Sequence, residues 1–130
     1  MRIALDTNRY RDLCDADPAV IAMLERAESI LVPFVVIAEL RAGFAIGKRM
    51  QQNEQVLRRF LNKPGVSVLY ATDATTRGYA NLYRQLRSQG TPIPTNDLWI
   101  GALVVEHDLA LLTRDRHFAH LPQLTLLGVS

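Results

Sequence analysis

Only one cysteine, Cys14, occurs in the 130 residues, so an internal disulfide is excluded and the expected compartment is the reducing cytoplasm. No apolar run is long enough to cross a bilayer, so no membrane role is expected. Asp6 interrupts the first apolar stretch before it could form the core of a signal peptide. Low-complexity segments, internal repeats and linkers are missing, and the whole chain 1–130 reads as a single domain. Neither sign of charge dominates. Fifteen Lys and Arg against thirteen Asp and Glu leave a net charge of +2 and an isoelectric point near 9.0, a mildly basic balance that suits a polyanionic partner without naming one. The remainder, 48% hydrophobic and 22% charged, is the composition of an ordinary soluble globule, able to bury roughly two-thirds of its unfolded surface.

Apolar stretches and turn signals alternate along the chain. Residues 2–7 read as a buried strand. Asp17-Pro18 opens a helix, with Asp17 as N-cap, Pro18 in the first turn and Ile21, Leu24 and Ala27 facing inward. Ser29 to Val32 is a second strand. Pro33 starts a helix reaching Gly47, and residues 48–62 form an amphipathic helix with Met50, Leu57 and Leu61 on one side. Pro64-Gly65 is a turn before a strand from Val66 to Tyr70. Asp73 caps a long helix that ends before Gly90 and carries the stripe Tyr79, Leu82, Tyr83 and Leu86. Thr95 or Asn96 caps a further helix to about His107. Strands at 109–113 and 124–129 complete the pattern. Strands that alternate with helices predict an α/β fold, a parallel sheet covered on both faces.

Four acids stand in or beside segments that should be buried: Asp6, Glu39, Asp97 and Asp115. Buried carboxylates are costly unless paired or bound to metal. Asp6 and Asp115 each follow a strand, and ligands in open α/β sheets sit beyond the carboxyl ends of strands, near the switch point in strand order. Glu39 has only Val35, Val36, Ala42 and Gly43 at helical neighbour positions, so no local base explains it. Each of the other three, taken singly, also fits a structural role. Asp97 can be a helix-start residue, Asp115 a turn residue and Asp6 a cap. Together they point to one acidic pocket for a divalent cation.

The stretches Leu5-Asp6-Thr7-Asn8, Ala38-Glu39-Leu40 with Gly43, Asn96-Asp97-Leu98-Trp99-Ile100-Gly101-Ala102 and Leu112-Thr113-Arg114-Asp115-Arg116-His117-Phe118 resemble, in order and spacing, PIN-domain ribonucleases of the VapC toxin type, over residues 2 to about 127. The resemblance implies a three-layer α/β/α PIN-like domain with a central parallel sheet. It implies that Asp6, Glu39, Asp97 and Asp115 form the active site of a metal-dependent endoribonuclease, supported by Asn8 and Thr113, leaving a 5′-phosphate and a 3′-hydroxyl. It further implies a homodimer and a cognate small antitoxin protein that covers the site, with Phe44, Met50 and Phe60 as candidates for an apolar groove.

Carboxylates suit hard cations, Mg²⁺ or Mn²⁺. Asp6, Asp115 and Asp97 are the expected direct ligands, and Glu39 is expected to act through water or to orient the nucleophile. Arg114 and Arg116 beside Asp115, then Arg9 and Arg11 beyond Asp6, are the expected contacts to an RNA substrate. Arg77, Arg84 and Arg87 read as a solvated helix face. His117 and His120 lack the cysteines of a zinc site; His117 fits a phosphate contact or no role at all. Trp99 and Cys14 read as packed residues. A phosphatase of the haloacid dehalogenase type would want an Asp where Asn8 stands. A housekeeping or structure-specific PIN nuclease and a non-catalytic partner-binding PIN domain are the alternatives.

Overall fold

In a computed structural model, residues 1–128 are described. The strand β1 (Arg2–Leu5) lies at the centre of a five-stranded, all-parallel sheet of order β3-β2-β1-β4-β5. Its neighbours are β2 (Ser29–Pro33) and β4 (Ala110–Leu112), flanked in turn by β3 (Val66–Leu69) and β5 (Thr125–Leu127). Ile3, Ala4 and Leu5 are buried, as are all three residues of β4. That is why these strands read as continuous apolar runs rather than alternating ones: both sheet faces are covered. Strand order reverses between β1 and β4, and the register places Leu5 beside Leu112. The residues that follow, Asp6 and Thr113, therefore leave the sheet side by side.

Six α-helices flank the sheet among the described residues. Of the helices α1 (Thr7–Cys14), α2 (Pro18–Glu25), α3 (Phe34–Ile46) and α4 (Met50–Leu61), α1 packs against both α2 and α3, and α3 packs against α4. The other two, α5 (Asp73–Gln89) and α6 (Thr95–Glu106), form a closely packed pair. Between them lies a small apolar cluster of Leu82, Leu86, Leu98, Ala102 and Leu121. The main core runs along the sheet and includes Leu5, Val32, Leu57, Leu103, Leu111 and Phe118.

The expected three-layer arrangement is present, with local differences. The first strand stops at Leu5 instead of residue 7, because Thr7 begins α1, a helix whose polar sequence buries only Tyr10 and so shows no apolar period. Asp17 does cap α2, accepting from the amides of Ala19 and Val20, but Val20 and Leu24 supply its buried face, with Ile21 half-buried. On α4 the inward residues are Leu57 and Phe60, while Met50 is exposed. The N-cap of α5 is Thr72 rather than Asp73, because Thr72 and Thr75 exchange a reciprocal capping box. Tyr83 is 52% exposed at the outer edge of the α5 stripe. The cap of α6 is Pro94, with no side-chain hydrogen bond, in place of Thr95 or Asn96. A short 3₁₀ helix, Arg116–His120, was not anticipated. The last strand occupies Thr125–Leu127, and the expected continuation to Val129 lies outside the described residues. Cys14 is exposed rather than packed. Trp99 is half-buried between Phe34 and Tyr79, at ring distances of 6.2 and 4.5 Å.

Candidate active site

The carboxyl ends of β1 and β4 position the site. Asp6 ends β1 and caps α1, with its Oδ1 accepting from the Thr7 amide at 2.8 Å. Its backbone amide donates to the Leu112 carbonyl at 3.1 Å, which extends the β1–β4 pairing by one residue. The neighbouring Thr113, fully buried, donates from Oγ1 to Asp6 Oδ2 at 2.7 Å and accepts from the Asp115 amide at 2.9 Å. Asp115 caps the 3₁₀ helix, and its Oδ1 accepts from the His117 amide at 2.9 Å. The imidazole of His117 turns back between two acids: Nδ1 lies 2.9 Å from Asp97 Oδ2 and 3.1 Å from Asp115 Oδ1. Asp97 enters from the first turn of α6, where the helix N-terminus favours negative charge. On the opposite side, Thr7 donates from Oγ1 to Glu39 Oε1 at 2.7 Å.

One continuous relay thus joins the four acids, from Glu39 through Thr7 to Asp6, through Thr113 to Asp115, and through His117 to Asp97. The electrostatics follow from this crowding. Burial raises the Asp6 carboxyl above its usual range, against the hydrogen bonds from Thr113 and Thr7, and the charges of Glu39 and Asp115 raise it further. Burial, then the charge of Asp115, pushes Asp97 up to about 6, with His117 opposing. The hydrogen bond to Asp97 raises the His117 imidazole. Burial and like charge together disfavour ionisation of these carboxyls, and a cation among them would reverse that. The residues present fit a divalent ion: ligand atoms of Asp97, Asp115 and His117 all lie within 4.8 Å of one another.

Asn8 sits beside the pair, its amide 3.5 Å from Asp6 Oδ2 and its oxygen accepting from the Arg114 amide at 3.3 Å. The arginines divide. Arg9 is turned inward, pairing with Asp12 at 3.1 Å and donating to the Gly128 carbonyl at 2.6 Å. Arg114 is half-exposed but held by both oxygens of Asp12. That double pairing, led by Arg114, holds the Asp12 carboxyl below the usual range. Arg116 is exposed and has no ion pair among the described residues. Arg11 is exposed and lies over Gly43 of α3. Arg77, Arg84 and Arg87 are exposed along α5, and Arg77 pairs with Asp73.

Sequence reasoning gave no firm role to His117 and did not single out Thr7 or Asp12. The signal for His117 was its place two residues beyond Asp115, which brings a capped turn's side chain back over the cap. His120 points elsewhere: it is exposed and its carbonyl accepts from Gln89. Away from the acids, α1, α2 and α4 enclose an apolar groove of about 540 Å³ that includes Tyr10, Leu13, Ile21, Leu24 and Val56. Phe60 forms its floor, 8% exposed and edge-on to Tyr10. Phe44 lines an adjoining hollow, between α1 and α3.

Comparison with known proteins gives a match to the PIN domain over residues 3–124. The chain is 34% identical over 122 residues to VapC ribonuclease Y4jK of Sinorhizobium fredii, covering 87% of this chain and 86% of that one. Among solved structures it is similar to VapBC2 from Rickettsia felis bound to a DNA fragment from its promoter, with a TM-score of 0.86, 26% identity and 98% of both chains covered. It is also similar to VapBC-5 of Mycobacterium tuberculosis, a member of the VapBC family of toxin-antitoxin systems, with a TM-score of 0.72, 25% identity, and 98% of this chain and 97% of that one covered.

Proposed function

The chain belongs to the PIN-domain family and, within it, to the VapC ribonucleases, and from that premise we propose a metal-dependent endoribonuclease that works as the toxin of a toxin–antitoxin pair, within a single domain. The observation that carries the reading is the hydrogen-bonded relay that gathers Asp6, Glu39, Asp97 and Asp115 from four distant segments. A nuclease needs such a gathering to hold a cation against a polyanion, since bare acids would repel the substrate.

Asp97, Asp115 and Asp6 would hold Mg²⁺ or Mn²⁺. A divalent ion there supplies Lewis acidity toward a phosphate oxygen and lowers the pKa of an attacking water. Thr113 fixes the Asp6 carboxylate through its hydroxyl and, by accepting from the Asp115 amide, holds the backbone from which Asp115 projects. Glu39 stands across the pocket, braced by Thr7, where its free oxygen can accept a proton from a water. The buried floor of the site, Leu5 and Leu112, excludes bulk solvent from the inner side. Arg116, beside Asp115 in sequence, together with Arg114 and Arg11, offers cationic groups to the RNA backbone.

Partners follow from the same premise. An antitoxin segment would lie in the apolar groove of α1, α2 and α4, and a second copy of the chain would complete a homodimer. No helix among the described residues is long and apolar enough to cross a membrane, in keeping with action in the cytoplasm.

The test is cleavage of total RNA by the purified chain. Activity should disappear in EDTA and return with Mg²⁺ or Mn²⁺, leaving 5′-phosphate ends. Asp6→Asn and Asp115→Asn should abolish cleavage with an equal or higher Tm, because Asn keeps either cap while removing mutual repulsion. Full activity in EDTA would overturn the metal mechanism. Robust cleavage without growth arrest on expression would favour a housekeeping nuclease.

A further inference from the structure

Building on that reading of the acids as a cation site, we propose that His117 is itself a ligand, binding through Nδ1 beside Asp97 and Asp115, and that it biases the site toward a first-row transition ion such as Mn²⁺ over Mg²⁺. The geometry is already set. His117 Nδ1 is 2.9 Å from Asp97 Oδ2 and 3.1 Å from Asp115 Oδ1. Adjacent ligands around an octahedral ion with bonds of about 2.1 Å stand about 3 Å apart, so the separations that let these atoms share a proton also let them share a metal. The four-acid motif is not the set that converges most tightly. The close group is two acids and an imidazole.

Asp6 differs from these three. Its Oδ1 already accepts from Thr7, and its Oδ2 accepts from Thr113. Asp97 has only His117 as a hydrogen-bond partner among the described residues. His117 is also held in place from behind. Its amide is tied to Asp115 and the next residue, Phe118, is fully buried, so the turn cannot swing the ring away without opening the core. The side chain is half-exposed, and Nε2 has no hydrogen-bond partner among the described residues. Ligation through Nδ1 requires the tautomer that carries its proton on Nε2, and that proton then faces solvent or a bound phosphate. An imidazole ligand is accepted readily by transition ions, whose affinity for nitrogen rises along the first row, whereas Mg²⁺ favours an all-oxygen set.

Pulsed EPR on the Mn²⁺-loaded full chain reads the ligand directly. A nitrogen coupling from a directly bound imidazole is expected in the wild type and should be lost in His117→Ala. Calorimetric titration should show Mn²⁺ binding weakened on the order of tenfold or more in that variant, with Mg²⁺ binding changed less, so that the preference between the ions narrows. His117→Gln, which keeps a hydrogen-bond donor for the acids but no imidazole nitrogen, should behave like His117→Ala. Restored ion preference in the Gln variant would overturn ligation and leave His117 a positioning residue. Mn²⁺ bound with oxygen couplings alone, or with the same nitrogen coupling in His117→Ala, would overturn the proposal while leaving the metal-dependent nuclease intact. Failure of the folded wild type to bind either ion would overturn both.

Discussion

The hydroxyl of Thr113 donates to Asp6 and accepts from the Asp115 amide, so one buried oxygen joins two acids that are otherwise separated by nearly the whole chain. Thr113→Val keeps the shape and removes both bonds. It should cost about 1–3 kcal/mol in urea unfolding, the penalty for stranding buried polar partners, whereas Thr113→Ser should cost less than half as much. Equal losses for Val and Ser would show that packing, not the hydroxyl, is what matters. The titrating residues give a second expectation. Asp97 is raised from 3.8 to about 6 in the folded state. Between those values the native protein keeps a proton that the unfolded chain releases, so stability falls as pH rises through that window. His117 is raised above 6.5, and its stabilising charge, complete below that value, is lost as pH climbs through the folded pKa. Both effects have the same sign. In EDTA, unfolding free energy should fall between about pH 4.5 and 8, mostly through Asp97 because solvent screens the half-exposed His117, and Asp97→Asn should flatten the lower part of the curve. A metal-free stability that rose over this range would contradict the assignment.

Two glycines within helices give opposite expectations at the scale of the element. A Cβ at Gly78, on α5, would meet nothing within 4 Å, whereas one at Gly101, on α6, would lie 3.0 Å from Leu121 Cδ1 and 3.7 Å from Leu82 Cδ1. Gly78→Ala should therefore add about 0.5–1 kcal/mol through lower backbone entropy in the unfolded chain. Gly101→Ala should lose that gain, or more, because the fully buried Leu121 must shift in the α5–α6 cluster. Thermal unfolding of the two variants separates the cases, and equal shifts would refute tight packing of Leu121 on α6. What could be read from the sequence followed the same division. The β strands and α2 declared themselves through apolar runs and the Asp17-Pro18 start. Helix α1 did not, since Thr7–Cys14 buries one residue and has no period to detect. Thr72 and Asp73 are both capping residues, and only the partner Thr75 decides between them. The positions of the acids could be read because carboxylates look out of place among apolar residues. The roles of His117 and Asp12 could not, because each depends on a turn that brings distant segments together.

At the scale of the molecule, charge is organised by whether each arginine is already engaged. Arg9 is bound to Asp12 and Gly128, while Arg116 is exposed and without an ion pair among the described residues. Arg116→Ala should weaken RNA binding and lower the slope of log affinity against log salt by roughly 0.7–0.9, with little change in Tm. Arg9→Ala should leave that slope in place and lower the Tm, because it unties α1 from the end of the described chain. Salt titrations beside melting curves distinguish the two, and a reduced slope for Arg9→Ala alone would move the RNA path to the other side of α1. The central position of β1 has a last consequence, for the order in which the molecule is made. Asp6 and Glu39 emerge from the ribosome before Asp97, and the strand that flanks β1 on its other side, with Thr113 and Asp115, follows later still. Until then β1 lacks its neighbour on that side, and Asp6 lacks both Thr113 and Asp115. A chain stopped short of β4 consequently cannot assemble the acid cluster, and the site comes into being only when the first and the fourth strands have met.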